Sequence, residues 1–297
     1  MKWIVKAAVQ QILAAMPARV ADPIYHGLQQ YVRGIHVDIK GQRRFIEEVA
    51  LLLEDIRGKT LSGLRIVELG SGWFPVLPLL LVREFGVASV QTFDVNQHYS
   101  SARIATAARE IMETVMHLRE DPVLKQTALT GHLPDSIHYY PRTRIQHILE
   151  LRSGLAELAL SRSALEYIAP EDIRDIHSRS VQWLTPDALW IHLVATTSDE
   201  RARQDRKLHE LDFLRYSEKE WSRISGNRYA YKNRLRLPQY RSLFQSAGWH
   251  VERERASISE STMATLNRVS LHPDFGRFSP EELIADSIRF ALVRANA

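Results

Sequence analysis

A doubly wound α/β fold, with a mostly parallel sheet of seven strands, is predicted by three features of the chain. Short runs rich in Val, Ile and Phe alternate with amphipathic segments long enough to serve as crossover helices. The central runs are apolar without alternation, as strands covered on both faces must be. The length of 297 residues, 45% of them hydrophobic, suffices to bury one large core with additions or two small ones.

In order, "MKWIVKAAVQQILAAMP" reads as an amphipathic helix ended by Pro17, with Val5, Val9, Ile12 and Met16 on one stripe and Lys2, Lys6 and Gln10 on another. It is no export signal, because Lys6 and the Gln10-Gln11 pair interrupt the apolar run and no small-x-small cleavage site follows. Packing on its own domain and peripheral contact with a membrane surface, through basic residues and Trp3, are both compatible with it. No stretch reaches the roughly 18 to 20 apolar residues of a membrane-spanning helix.

Residues 1–41 form a helical extension, and one domain follows over 42–297. Phe45, Ile46, Val49, Leu52 and Leu53 define a helix from about 42 to 57, closed by Gly58. "LRIVELG" (64–70) and "ASVQTFDV" (88–95) are strands around the helical segment "VLPLLLVREFG". A helix in "SSARIATAAREIMETVMHL", strands at "SIHYYP" and "LAELALSRSAL", and a helix in "PEDIRDIHSRSVQWL" continue the alternation. "ALWIHLVATT" is a strand, "LPQYRSLFQSAG" a helix, and "HVERERA" and "SIRFALVRA" the last two strands. Between them, 198–237 is an insert: Arg201 to Arg236 carries eleven Lys or Arg against five Asp or Glu, interleaved with Phe213, Tyr216, Trp221, Tyr229 and Tyr231. It is placed to cover a substrate cleft.

Cysteine is absent, which excludes disulfides, a thiolate nucleophile and sulfur-ligated zinc, and suits a reducing cytoplasm. Thirty-nine basic against 35 acidic residues leave a net charge of +4, too mild to argue for nucleic acid. No His, Asp and Glu spacing forms a persuasive metal site, so no metal is expected.

"VELGSGWFP" (67–75) places a glycine turn directly after the first strand, where open α/β sheets bind ligands. A dinucleotide fingerprint needs a third glycine where Pro75 stands, and no Gly-Lys-Ser or Gly-Lys-Thr follows as in a phosphate-binding loop. The pattern is acid-x-Gly-x-Gly, from Glu68 to Gly72. In it the chain resembles the class I S-adenosylmethionine-dependent methyltransferases, with their Rossmann-like fold. The resemblance implies that Glu68 meets the ammonium of the methionine moiety and that Gly70, Ser71, Gly72 and Trp73 form the cofactor turn. Asp94, at the end of the second strand and 26 residues beyond Glu68, is then the acceptor for the ribose hydroxyls, with Asn96 beside it. "AELALSRSALEYI" resembles the family's fourth-strand motif, adding Ser161 to the cofactor set. "LTPDALWIHLV" resembles its turn into the fifth strand. Tyr167 stands where many relatives have His, so a base is not carried over there, and "IHYYPRTRI" lacks the acid that often meets the adenine amino group. Thr143 or a backbone carbonyl must serve instead.

Methyl transfer from a sulfonium is an in-line displacement that needs alignment, and a general base only for a hydroxyl acceptor. Candidates near strand ends are His192, whose ordinary pKa suits the role, Glu166 and Tyr167. Arg228, Tyr231 and Arg234, in "NRYAYKNRLR", are candidates for holding an anionic acceptor such as an acidic sugar. The layout also resembles bacterial methyltransferases of surface-polysaccharide synthesis, which implies O-methylation of a sugar or other small metabolite. RNA or protein methylation, and a catalytically silent binding subunit, are the alternatives.

Overall fold

The computed structural model describes residues 3–17, 19–21, 24–25, 27, 36–148, 154–197, 208–227, 229 and 231–295. After α1 (Trp3–Ala15), helix α2 (Ile39–Arg57) starts where the Asp38 carboxylate accepts a 3.0 Å hydrogen bond from the Gly41 N–H. It stops at Gly58, whose φ of 62° lets the chain turn away. Phe45, Ile46, Val49 and Leu53 are its buried stripe.

Strand β1 (Arg65–Leu69) leads to α3 (Val76–Arg83), β2 (Ser89–Phe93), α4 (Ser101–Thr114), α5 (Pro122–Thr130), β3 (Ile137–Tyr140) and β4 (Ala156–Arg162). Then come α6 (Pro170–Arg179), β5 (Leu184–Ala195), α7 (Glu218–Ser225), α8 (Leu237–Ser246), β6 (Trp249–Ser257), α9 (Glu260–Leu266), α10 (Pro280–Ile284) and β7 (Ser287–Arg294). The sheet order is β3-β2-β1-β4-β5-β7-β6. Strands β1 to β5 are parallel and β7 runs antiparallel to both β5 and β6. The doubly wound, mostly parallel, seven-stranded sheet anticipated from the alternation is therefore present.

The unbroken apolar strands follow from two covered faces. Within β1, Ile66 points into the core built with α2, α3 and α4, and Val67 into the one built with α6 and α8. In β5, Leu189 and Ile191 join the first core while Trp190 and Val194 join the second. Helix α5 escaped the sequence reading, although Asp121 caps it through the Leu124 N–H at 2.9 Å and Gly131, at φ 68°, closes it. Its apolar stripe is too short to stand out.

Of the insert's five aromatic residues, Phe213 and Trp221 are buried with Leu211, Leu214, Val269, Phe275, Leu283 and Ile284 in a third, smaller core, and Tyr216, Tyr229 and Tyr231 are half-buried. The apolar stripe expected on the first helix is corrected at Ile12, which is 65% exposed, whereas Val9 and Met16 are half-buried and Leu13 and Gln10 are buried. The reason is polar docking. The Gln11 side-chain amide donates to the Arg223 carbonyl at 3.0 Å, and that of Gln10 to the Tyr229 carbonyl at 3.3 Å. Tyr25 stacks on Tyr229 at 4.3 Å. Among the described residues no helix is long and apolar enough to cross a membrane.

Candidate functional site

Strand β1 lies between β2 and β4, and the chain leaves β1 toward β2 but leaves β4 toward β5, into the opposite half of the sheet. That divergence opens the crevice in which doubly wound folds bind ligands. The glycine turn sits on it. Gly70 and Gly72 have φ of 88° and 66°, and their demands differ. A Cβ on Gly70 would come 2.7 Å from the Ala164 Cβ, so this glycine lets the turn after β1 approach the turn after β4. A Cβ on Gly72 would meet nothing within 4 Å. Gly72 therefore presents bare backbone to open space, as a ligand-cradling turn must.

Two carboxylates face this turn. Glu68 is buried at 3% exposure, and its Oε2 has no hydrogen-bond partner among the described residues. Burial pushes its carboxyl up to about 8, the Thr92 hydroxyl opposing and the charge of Asp94 adding to the rise. An orphaned buried carboxylate oxygen is costly, and a cationic ligand group is what relieves it. Asp94 is better supported: its Oδ2 accepts from the Ser71 N–H at 3.1 Å and from Ser71 Oγ at 3.3 Å, and its Oδ1 from the Asn96 N–H at 2.8 Å. Burial still lifts it to about 6. Three donors leave capacity on a carboxylate with roughly four lone-pair sites.

Ser71 thus serves Asp94, while its carbonyl accepts from the Tyr99 hydroxyl at 2.8 Å. Trp73 packs its ring on His98 at 4.6 Å and beneath the Arg103 guanidinium at 5.0 Å, tying the turn to the loop after β2. Asn96 is exposed on that loop. The Thr143 N–H donates to the Asp94 carbonyl at 2.9 Å, which brings the end of β3 to the same place. The sequence reading missed Thr92, His98, Tyr99 and Tyr139. Of these, the Tyr99 and Tyr139 rings pack tilted at 4.2 Å and the Tyr139 hydroxyl accepts from the His98 N–H at 2.8 Å. No spacing rule marks them: Thr92 stands opposite Glu68 in the β1–β2 pair, His98 and Tyr99 follow Asp94 in the loop after β2, and Tyr139 arrives on β3.

Ser161 and His192 lie elsewhere than anticipated. Both are fully buried within paired strands, in register with each other. Ser161 Oγ is 2.8 Å from His192 Nδ1, His192 Nε2 is 3.0 Å from His177 Nε2, and His177 Nδ1 is 2.6 Å from the Ile173 carbonyl. A carbonyl only accepts, so His177 carries its proton on Nδ1 and accepts at Nε2. His192 must then donate from Nε2 and accept from the serine. Every position is filled with both rings neutral. Trp190, Phe244 and His177 surround His192, leaving it no edge for an acceptor. The roles assigned to His192 as base and Ser161 as cofactor ligand are thereby withdrawn, for reasons of burial and saturated bonding.

Burial lowers His177 from 6.5 to about 4, and burial together with the neighbouring His177 lowers His192 as well. Stability from these neutral rings is present above pH 6.5 and lost as pH falls through about 4, because the unfolded chain takes up the protons first. Replacing His177 with Gln is expected to shrink the acid-linked loss of stability between pH 7 and 4.5 by about 2 to 3 kcal/mol. Urea unfolding at the two pH values measures it; an unchanged difference would remove His177 from the acid response.

The acceptor-side candidates also separate. Glu166 follows β4 in a short 3-10 turn and is buried, whereas Tyr167 is 47% exposed with the Lys232 ammonium 5.9 Å from its ring centroid. Tyr231 is half-buried, and burial raises its hydroxyl to about 12. Arg228 lies outside the described residues. Arg234 is buried: it donates to the Phe213 carbonyl at 3.0 Å and to that of Tyr216, pairs with Glu218 at 2.7 Å, and lies against Trp221 and Phe275. Its expected part in holding an anion is corrected accordingly, since its donors serve the insert's own core.

No family model matches the chain, and no curated protein sequence matches it. Solved structures do. The chain is similar to a putative S-adenosylmethionine-dependent methyltransferase from Listeria monocytogenes, at 14% identity and a TM-score of 0.45 over 83% of this chain and 97% of that one. The plantazolicin methyltransferase in complex with S-adenosylhomocysteine aligns over 98% and 96% of the two chains, at 12% identity and a TM-score of 0.49. The magnesium protoporphyrin IX methyltransferase of Synechocystis, also with S-adenosylhomocysteine, aligns over 90% and 92%, at 13% identity and a TM-score of 0.44.

Proposed function

We propose that this chain is an S-adenosylmethionine-dependent methyltransferase that acts on a hydroxyl of a sugar or other small metabolite. The observation that carries the donor half is the orphaned, buried Glu68 oxygen beneath a two-glycine turn at the sheet's divergence point, with Asp94 alongside. Glu68 would hold the ammonium and Asp94 the ribose hydroxyls, while Gly72 leaves backbone room between them. When bound, the cofactor's sulfonium supplies the methyl group, and the protein's own work is alignment and exclusion of water. A small acceptor is favoured over RNA because two of the five aromatic residues of the basic insert, Phe213 and Trp221, are committed to a core and do not offer stacking platforms. The surface-polysaccharide resemblance supports a sugar.

Calorimetry with S-adenosylmethionine and S-adenosylhomocysteine tests the donor half directly. Replacing Asp94 with Ala is expected to weaken binding about 10- to 100-fold, the range of hydrogen bonds to a charged group. Absence of binding by folded wild-type protein would refute the reading, and unchanged affinity in Asp94→Ala would refute the ribose role.

A further inference from the structure

We propose that Arg162 binds the carboxylate of the donor's amino-acid end, and that the Asp38 side chain holds that place on Arg162 until the donor arrives; this rests on the methyltransferase reading. Strand alternation puts Arg162 on the same face of the sheet as Glu68. Ile66 on β1 and Leu158 and Leu160 on β4 all point into the core built with α2, α3 and α4, and Glu68 and Arg162 are the next residues in step with them. Glu68 pairs with Leu160 in the parallel register. Arg162 therefore stands one strand across and two residues further on, which for ordinary sheet dimensions sets the two Cα atoms about 8 Å apart. The turns beyond them touch, because Gly70 has no room for a Cβ against Ala164. Ser163, at φ 52°, makes the left-handed turn that brings Ala164 there, its N–H donating to the Leu193 carbonyl at 2.7 Å.

Opposite charges on one face of a sheet ordinarily meet, and these two do not. Among the described residues Arg162 pairs with Asp38 instead, its Nη2 donating to Oδ2 at 2.9 Å, while its buried Nε has no hydrogen-bond partner. Arginines that serve structural pairs in this chain are used differently. Arg241 on Glu254 and Arg289 on Glu48 each donate from both Nε and Nη2 to the two oxygens of one carboxylate. The fork of Arg162 is half filled, and the orphaned Oε2 of Glu68 lies on the same face. A guanidinium and a carboxylate that are kept apart, each with an unused position, complement a group that carries a carboxylate and an ammonium on one carbon. The methionine end of the donor is such a group.

Asp38 is a replaceable occupant. Its side chain is 54% exposed, against 26% for Arg162, and a pair so open to water is held weakly. It cannot fill the fork, because its Oδ1 accepts from the Gly41 N–H at 3.0 Å to cap α2 and only Oδ2 is left for Arg162. Gly41 belongs to this arrangement, since a Cβ there would overlap both carboxylate oxygens of Asp38. A donor carboxylate brings two free oxygens, takes Nε and Nη2 together, and leaves Asp38 its cap on α2.

Calorimetry with two probes tests this: S-adenosylhomocysteine, and S-adenosyl-3-thiopropylamine, which is the same molecule without its carboxylate. Wild-type protein is expected to bind the first about 10- to 100-fold more tightly. Arg162→Gln should abolish that preference by weakening S-adenosylhomocysteine alone, with the carboxylate-free probe bound at least as tightly as by wild type. Asp38→Asn keeps Arg162 and a capping side chain for α2, and is expected to raise the preference about two- to fivefold. Equal wild-type affinities for the two probes, or an Arg162→Gln loss shared by both, overturn the proposal. A preference that Asp38→Asn lowers or leaves unchanged overturns it too, and this variant and the wild-type comparison decide the matter even where Arg162→Gln does not fold. Failure of folded wild-type protein to bind either probe would instead sink the donor reading.

Discussion

Replacing Glu68 with glutamine is expected to lower the affinity for S-adenosylhomocysteine about 10- to 100-fold at pH 8 and to abolish most of the pH dependence of binding. The magnitude is that of hydrogen bonds between a buried carboxylate and an ammonium, with glutamine keeping the shape and losing the charge. The sign follows from the free protein. Burial and the neighbouring Asp94 charge raise the Glu68 carboxyl to about 8, so near pH 7 it holds a proton in the absence of ligand. An ammonium binds the ionised form, and wild-type affinity must therefore rise as pH goes from 6 to 8, by at most about tenfold per unit. The groups facing Glu68 are Asp94, Thr92 and Tyr99, and only Asp94 titrates in the lower part of that window. Calorimetry across pH 6 to 8 in both proteins checks this. A wild-type affinity that is flat, or falls with pH, would refute the contact between Glu68 and the ammonium.

The same variant has an opposite effect on folding. A carboxyl with a raised folded pKa stabilises the fold below its unfolded value and loses that contribution as pH climbs through about 8. Glu68→Gln is insensitive to that loss, so it should be the more stable protein at pH 8. Weaker binding with greater stability is the signature of a residue kept for a ligand.

What the sequence disclosed and what it hid follow from the range of the interactions. Element order was legible because periodicity is local: the helix from Ile39 to Arg57 announces itself through Phe45, Ile46, Val49 and Leu53, and the unbroken apolar "RIVEL" through its two covered faces. That Glu68 and Asp94 come together was legible because the strand that holds one and the strand whose end precedes the other are adjacent in a parallel pair. His192 was not. It stands on a strand near its carboxyl end, as a base would, and only the approach of α6 and α8 shows that its ring meets His177 and Phe244. The same holds for "NRLRLP", in which alternating arginines look solvated although Asn233, Arg234, Leu235, Arg236 and Leu237 are all buried. Pairing with carbonyls distant in sequence is invisible to any local rule.

Arg236 is accordingly expected to be among the most sensitive positions for folding: Arg236→Ala should destabilise the protein by about 3 to 5 kcal/mol. Its guanidinium is fully buried, and burial beside Arg234 lowers its pKa to about 10, so it remains charged at neutral pH. It donates to the Arg234 carbonyl at 3.1 Å, the Leu283 carbonyl at 3.3 Å and the Thr196 carbonyl at 3.1 Å, over the Phe213 ring at 5.1 Å. These carbonyls belong to the insert, to α10 and to the residue just after β5, so one side chain joins the small third core to the end of the sheet. Truncation leaves all three acceptors short of a donor and opens a cavity against Phe213. Arg236→Lys keeps a charge but not the planar fork, and should recover less than half of the loss. Urea unfolding followed by tryptophan fluorescence measures both variants. The functional consequence is separable, because Asn233, which clamps the Glu166 turn, lies in the same stretch. In Arg236→Ala the Glu166 carboxylate should become more accessible and its pKa fall toward the ordinary range, while S-adenosylhomocysteine affinity, set on the far side of β1, stays within about threefold of wild type. A stability loss below about 1 kcal/mol, or cofactor affinity falling in step with stability, would show that the insert is not joined to the sheet through Arg236 in this way.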